Sequence, residues 1–178
     1  MRGNIALIGF MGTGKTAVGE VLAEKLGMKF IEQDLLIEKQ AGKSISKIFQ
    51  EDGEIAFREI EIEVTKKIAR EKKIVIACGG GVVLNQINID RLKENAMIIY
   101  LKASPEIILD RVTNDKVQRP LLEVANPAQT ISELIKFREP FYKRAACITI
   151  NTSKSDVNSV AKKIIKRLKK HESLNTKK

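Results

Sequence analysis

Gly9-Phe10-Met11-Gly12-Thr13-Gly14-Lys15-Thr16 is the stretch that decides the fold of this chain. It fits in full the pattern of a glycine, four residues, then glycine, lysine and a hydroxyl residue. Ile5 to Ile8 before it reads as a strand, and Lys15 to Leu26 after it reads as an amphipathic helix stopped by Gly27. A strand, a glycine-rich turn and a helix in this order describe a phosphate-binding loop. Glycines let the backbone curl until its N–H groups converge on phosphate oxygens, and the helix N-terminus adds partial positive charge at the same place. In such a loop Lys15 reaches the β- and γ-phosphates of a nucleotide, and Thr16 offers its hydroxyl to Mg²⁺.

Outward from the loop, short apolar runs alternate with longer amphipathic ones. Lys29 to Glu32 reads as a second strand, Ile74 to Ala77 as a third, Met97 to Leu101 as a fourth and Cys147 to Ile150 as a fifth. Ser44 caps a helix through Asp52, and a longer helix runs from about Glu54 to Arg70. Ser104-Pro105 and Asn126-Pro127 both place a capping residue before a proline at the first helical position. Val157, Val160, Ala161, Ile164, Ile165 and Leu168 recur at helical spacing and give the last helix one buried face. Short β-branched strands without polar alternation are covered on both faces. The expectation is an α/β three-layer sandwich with a five-stranded parallel sheet, of the P-loop NTPase type. It forms a single domain over residues 1–170, followed by a basic tail at 171–178.

Composition narrows the function classes. The chain has 178 residues, 43% hydrophobic and 30% charged, which suits one globular domain. No apolar run is long enough to span a bilayer, and no apolar stretch ending in small residues opens the chain, so the expected location is the cytoplasm. Cys78 and Cys147 both fall in strand-like segments and read as two buried, reduced thiols. His171 reads as a solvated tail residue. Of the net charge of +10, the stretch from Lys154 to Lys178 holds nine basic and two acidic residues, or +7, leaving +3 for the rest. That basicity sits on the outer face of one helix, and there is no tryptophan to build a base-stacking platform. Small molecules are therefore the expected partners, with no nucleic acid, no membrane and a monomeric state.

The phosphate-binding loop alone does not separate a kinase from a GTPase or a motor ATPase. The base-reading Asn/Thr-Lys-x-Asp motif of GTPases is absent from the sequence, and the third strand ends in Cys78-Gly79-Gly80-Gly81 in place of an acidic residue. Small size and a glycine-ended third strand favour a metabolite or nucleotide kinase.

From Asn4 to Leu168 the chain resembles the shikimate kinase family. The resemblance rests on the phosphate-binding loop, Glu32-Gln33-Asp34, the stretch from Ile48-Phe49 through Gly53-Glu54 to Phe57-Arg58-Glu59-Ile60-Glu61, the Gly79-Gly80-Gly81 triplet, Arg119-Pro120-Leu121-Leu122, and Arg138 with Tyr142. It implies ATP and Mg²⁺ as cosubstrate and metal, and shikimate as acceptor. It also implies that Gly12, Thr13, Gly14, Lys15, Thr16 and Ala17 hold the nucleotide phosphates. Arg111 and Lys154 would lie on the adenine side. Asp34 would hold hydroxyls of the acceptor and orient or deprotonate the attacking one, with Arg58 and Arg138 gripping its carboxylate beside Gly79, Gly80 and Gly81. Residues 112–125 would form a mobile lid whose Arg119 closes over the phosphates, so that Lys15, Asp34 and Arg119 carry catalysis. Two departures stand out. Glu32 replaces the family's usual first aspartate, the one expected to hold Mg²⁺ with Thr16, and Ala77-Cys78 lacks a hydroxyl that often precedes the glycines. The competing readings are a gluconate-type or other small-metabolite kinase, and a nucleotide-binding relative without catalysis.

Overall fold

A computed structural model describes residues 3–114 and 124–175 of the chain. It begins with strand β1 (Asn4–Ile8), the phosphate-binding loop and helix α1 (Lys15–Leu26). Strand β2 (Lys29–Glu32) leads without a turn into α2 (Gln33–Ala41), then α3 (Ile45–Glu51) and α4 (Gly53–Ile68). Strand β3 (Ile74–Ala77) is followed by the glycine triplet, a short 3₁₀ turn (Val82–Leu84) and α5 (Gln86–Asn95). Strand β4 (Ala96–Lys102) precedes α6 (Pro105–Thr113), and α7 (Pro127–Ala145) leads to β5 (Ile148–Asn151) and α8 (Val157–Asn175).

The five strands form one parallel sheet in the order β2-β3-β1-β4-β5. Side chains alternate across it as strand geometry demands. Ile5 and Leu7 of β1, with Val75, Ile99 and Leu101 from its neighbours, meet Val18 and Leu22 of α1 and Val160, Ile164 and Leu168 of α8. Ala6 and Ile8, with Ile74, Ile76, Ile98 and Tyr100, meet Val64 and Ile68 of α4, Leu92 of α5 and Tyr142 of α7. Both faces are thus covered, which is why these strands read as continuous apolar runs. A third, smaller cluster of Phe10, Ile108, Val112 and Ile131 joins the phosphate-binding loop to α6 and α7.

The expected caps are in place at two starts. Ser44 Oγ accepts from the Lys47 N–H, and Asn126 Oδ1 accepts from the Gln129 N–H with Pro127 at the first helical position. Other expectations need correction. Helices α2 and α5 were not foreseen: α2 exposes Leu35, and α5 exposes Ile87 while burying Asn88, so neither shows a clean apolar stripe. Cys147 is exposed and precedes β5, whereas Cys78 is buried, so the chain does not hold two buried thiols. Val112 and Thr113, expected to open the lid, are the last turn of α6, and Val112 is packed against Phe10. Of the rest of the lid, residues 115–123 lie outside the described residues. Helix α8 continues to Asn175, past the point where a tail was expected to begin. Among the described residues no helix is long and apolar enough to cross a membrane.

Helix α8 gives a direct test of this packing. Ile164 is fully buried against the sheet, and Lys166 is exposed on the same helix. Ile164→Ala is expected to cost ~2–5 kcal/mol in urea unfolding through the cavity it leaves. Lys166→Ala is expected to stay within about 0.5 kcal/mol of the parent.

Candidate active site

Loops leaving β1 and β3, together with the end of β2 and helices α2, α4 and α7, surround a cleft of about 880 Å³. The phosphate-binding loop makes one side of it. Gly9 leaves β1 with φ of +147°, and a methyl group there would fall on the Leu101 carbonyl oxygen, so only glycine permits this exit. Gly14 sits just before α1 with φ of +87°. Thr13 turns inward, its hydroxyl donating to the Phe10 carbonyl at 2.8 Å. Lys15 Nζ donates to the carbonyl oxygens of Gly9 and Phe10, each at 3.0 Å, which holds its ammonium over the loop. Thr16, in the first turn of α1, donates through its hydroxyl to Glu32 Oε1 at 2.7 Å. A hydroxyl and a carboxylate oxygen thus meet at the mouth of the loop.

The opposite side of the cleft is built from α2, α4, α7 and the glycine triplet. Asp34 lies in the first turn of α2, the favourable helix end for a carboxylate. Its Oδ1 would be 2.7 Å from a Cβ on Gly79. Arg58 of α4 packs as closely on Gly81, where an added Cβ would come within 2.8 Å of its Cζ. Gly79 and Gly81 are therefore glycine because a carboxylate and a guanidinium occupy the space of their side chains. Arg58 is clamped along both edges. Its Nη1 donates to both Glu61 oxygens at 3.1 and 3.0 Å, and its Nε and Nη2 donate to Glu54 Oε1 at 3.2 and 2.9 Å. Glu61 is fully buried. Burial pushes its carboxyl above the usual range, against the pull of the Arg58 guanidinium.

Arg138, on α7, is also buried, with its guanidinium 5.7 Å from the Phe10 ring centroid. Its Nε makes no hydrogen bond among the described residues. Beside it the Tyr142 hydroxyl donates to the Gly80 carbonyl at 2.5 Å, and the Tyr142 ring stacks on Tyr100 with centroids 4.9 Å apart. Burial raises the pKa of the Tyr142 phenol, so it remains a donor. Cys78 also faces this cleft, and burial pushes its thiol up to about 12.

On the nucleotide side, Arg111 ends α6 by bridging two loops. Its Nη1 donates to the Gly12 carbonyl at 2.9 Å and to Thr152 Oγ1 at 3.3 Å, and its Nη2 donates to the Thr152 carbonyl at 3.0 Å. Thr152 is buried, and its hydroxyl lies 3.1 Å from the Thr13 carbonyl oxygen, to which it donates.

Gly12, Gly14, Lys15, Thr16, Ala17, Glu32, Asp34, Arg58, Gly79, Gly80, Gly81, Arg111 and Arg138 line this one cleft. Thr13 is buried behind the loop, Lys154 is exposed on the loop after β5 outside the cleft lining, and Arg119 lies outside the described residues. Sequence reasoning gave no role to Glu61, Tyr142, Thr152 or Gln33. Glu61 could have been found from its spacing of three from Arg58 on one helix, since such neighbours meet. Thr152 and Gln33 carry no local signal. Among the described residues no three His, Cys, Asp or Glu side chains gather as a metal cage.

A phosphate-cradling loop on one side of a cleft, and groups suited to hydroxyls and a carboxylate on the other, is the arrangement of a P-loop kinase with a small anionic acceptor. The sequence profile described as shikimate kinase matches residues 11–169. The chain is 49% identical to the shikimate kinase of Caldanaerobacter subterraneus subsp. tengcongensis over 163 residues, covering 92% of this chain and 94% of that one. The solved shikimate kinase from Acinetobacter baumannii in complex with shikimate superposes with a TM-score of 0.91 at 39% identity, covering 95% of this chain and 94% of that one. A gluconokinase from Sinorhizobium meliloti shares the fold alone, with a TM-score of 0.60 at 16% identity over 98% of this chain and 97% of that one. The protein belongs to the shikimate kinase family.

The two cysteines provide a check on the cleft. A thiol-specific chromogenic reagent is expected to label Cys147 in the native protein and Cys78 only after unfolding. Prompt labelling of both thiols would contradict the burial of Cys78.

Proposed function

We propose that the protein transfers the γ-phosphate of ATP to the 3-hydroxyl of shikimate, giving ADP and 3-phosphoshikimate, a step of aromatic amino acid (chorismate) biosynthesis. The observation that carries this reading is the acceptor wall: Asp34 and two guanidinium groups from separate helices gather around a glycine triplet, and Asp34 and Arg58 leave no room for a side chain at Gly79 and Gly81. A cyclic polyol acid needs both features, a carboxylate for its hydroxyls and guanidinium forks for its carboxylate. Arg138, nearly buried with an unpaired Nε, suits a ligand that supplies acceptor oxygens.

In this reading the N–H groups from Gly12 to Ala17 cradle the phosphates and Lys15 neutralises charge on the transferring group. Asp34 orients the attacking hydroxyl and takes its proton as that oxygen bonds to the γ-phosphorus and the bond to the β-phosphate oxygen breaks. Arg111, already fixed by Gly12 and Thr152, flanks the adenine together with Lys154. Arg119 is assigned, by resemblance to the family, a charge-stabilising role at the phosphates. Mg²⁺ would be held by Thr16 and Glu32, and when bound it neutralises charge on the β- and γ-phosphates. Their adjacent hydroxyl and carboxylate oxygens are hard donors suited to that ion.

The test is ADP release with shikimate, with gluconate, with nucleoside monophosphates and with no acceptor. Shikimate is expected to support turnover and the others not, and preferential turnover of gluconate would overturn the assignment. Asp34→Ala is expected to lower kcat by roughly 10²–10⁴-fold, the scale of a lost general base. Glu32→Ala is expected to raise the Mg²⁺ concentration needed for half-maximal activity, read by Mg²⁺ titration, while the KM for shikimate stays unchanged.

A further inference from the structure

Gln33 stands between Glu32 and Asp34, both of which face the cleft, yet its own side chain is buried at 1% exposure. A long polar side chain is costly to bury unless both ends of its amide are paired. Here both are. The Gly79 N–H donates to Gln33 Oε1 at 2.9 Å, and Gln33 Nε2 donates to Thr65 Oγ1 at 2.7 Å. The Thr65 hydroxyl then donates to the Glu61 carbonyl at 2.7 Å. A backbone N–H can only donate, so Gly79 fixes which end of the amide faces it. With the amide oriented, the Thr65 hydroxyl accepts from Nε2 and has its one proton for Glu61. The bonds run in one direction without a break.

The location of this chain gives it a task. The β2–β3 ladder ends at the pair Glu32 and Ala77, so the sheet no longer holds Gly79 against α2. The Gln33 side chain takes over where the ladder stops, and it also reaches the stretch of α4 that carries Arg58 and Glu61. Tolerances there are narrow: the Gly79 position has Asp34 Oδ1 2.7 Å from where a Cβ would stand, and the Gly81 position has Arg58 Cζ at 2.8 Å. A small shift of the end of β3 or of α4 therefore displaces Asp34 or Arg58 relative to the acceptor.

We propose that Gln33 is a positioning residue for the acceptor half of the site, using the Gly79–Gln33–Thr65–Glu61 hydrogen-bond chain to hold α2, the end of β3 and α4 in mutual register. The proposal rests on the shikimate reading of the cleft. The side-chain hydrogen bonds of Gln33 all lie on the acceptor side, and toward the nucleotide half it is joined through the backbone of its neighbour Glu32.

The experiment compares steady-state kinetics of the full chain with Gln33→Leu, Gln33→Asn, Thr65→Val, Thr65→Ser and the Gln33→Leu/Thr65→Val pair, with thermal midpoints recorded. Gln33→Leu, Gln33→Asn and Thr65→Val are each expected to raise the KM for shikimate about tenfold, ~1.4 kcal/mol, with the KM for ATP unchanged. Thr65→Ser keeps the hydroxyl and is expected to match the parent. The double variant is expected to be no worse than the weaker single variant, because the two residues act through one chain. Gln33→Asn keeps the amide but shortens its reach, so it carries the test if the leucine variant does not fold. Equal rises in both KM values, a lowered midpoint with unchanged kinetics, or additive effects would overturn the positioning role. A parent enzyme that releases no ADP with shikimate would instead refute the functional reading, and the proposal with it.

Discussion

The structure depends on how β1 leaves the sheet. β1 is central, with β3 on one side and β4 on the other, so the chain beyond its C-terminal end emerges where neighbouring connections diverge. That exit lies so close to β4 that a methyl on Gly9 would meet the Leu101 carbonyl oxygen. The phosphate-binding loop is thereby pressed onto the sheet edge, and the Cys78 N–H, donating to the Leu7 carbonyl at 3.0 Å, holds the exit of β3 beside it. Because every strand is parallel, the segments after β2, β3 and β5 open on the same edge. Asp34, the glycine triplet and Thr152 are brought to the loop by topology before any side-chain contact is made.

On that frame the two guanidinium groups are held by different means. Arg58 is gripped by two carboxylates, one exposed at Glu54 and one fully buried at Glu61. The exposed pair contributes little energy. The buried carboxylate would be costly alone, and its pairing with Arg58 offsets that cost while fixing the direction of the fork. Arg138 lies over the Phe10 ring and one turn before Tyr142 on the same helix. One arginine is thus gripped by two carboxylates and the other is set among aromatic rings. An anionic acceptor meets two donors that lose little freedom on binding it.

How much of this was legible in the sequence follows from the kind of signal each part leaves. The phosphate-binding loop, β1, β3, α1 and the apolar face of α8 were readable because glycine placement and apolar spacing are local. Helices α2 and α5 were not, because their patterns are inverted by context: Leu35 and Ile87 are exposed while Gln33 and Asn88 are buried. Cys147 looked like strand because it adjoins one, yet it precedes the first paired residue of β5. Within the site, charged residues in family motifs could be named in advance. The neutral residues that hold them, Gln33, Thr65 and Thr152, could not, since a buried amide or hydroxyl is recognisable only by partners far away in sequence.

The substitution of Glu32 for a shorter acid can be weighed on the same frame. Glu32 is the last residue of β2, paired in register with Ala77, so its backbone is fixed by the sheet and cannot move toward the loop. The side chain must span the distance to α1, and the Thr16–Glu32 contact at 2.7 Å shows that the longer acid does so. A shorter acid from the same backbone would end one methylene earlier and stand farther from the Thr16 hydroxyl. In the reading proposed above, Mg²⁺ would keep several waters and take few protein ligands, so either length would serve it. The extra methylene sets the distance to Thr16 and leaves the charge at the mouth of the loop unaltered, whereas on the other wall Asp34 and Arg58 leave no room for a Cβ at Gly79 and Gly81.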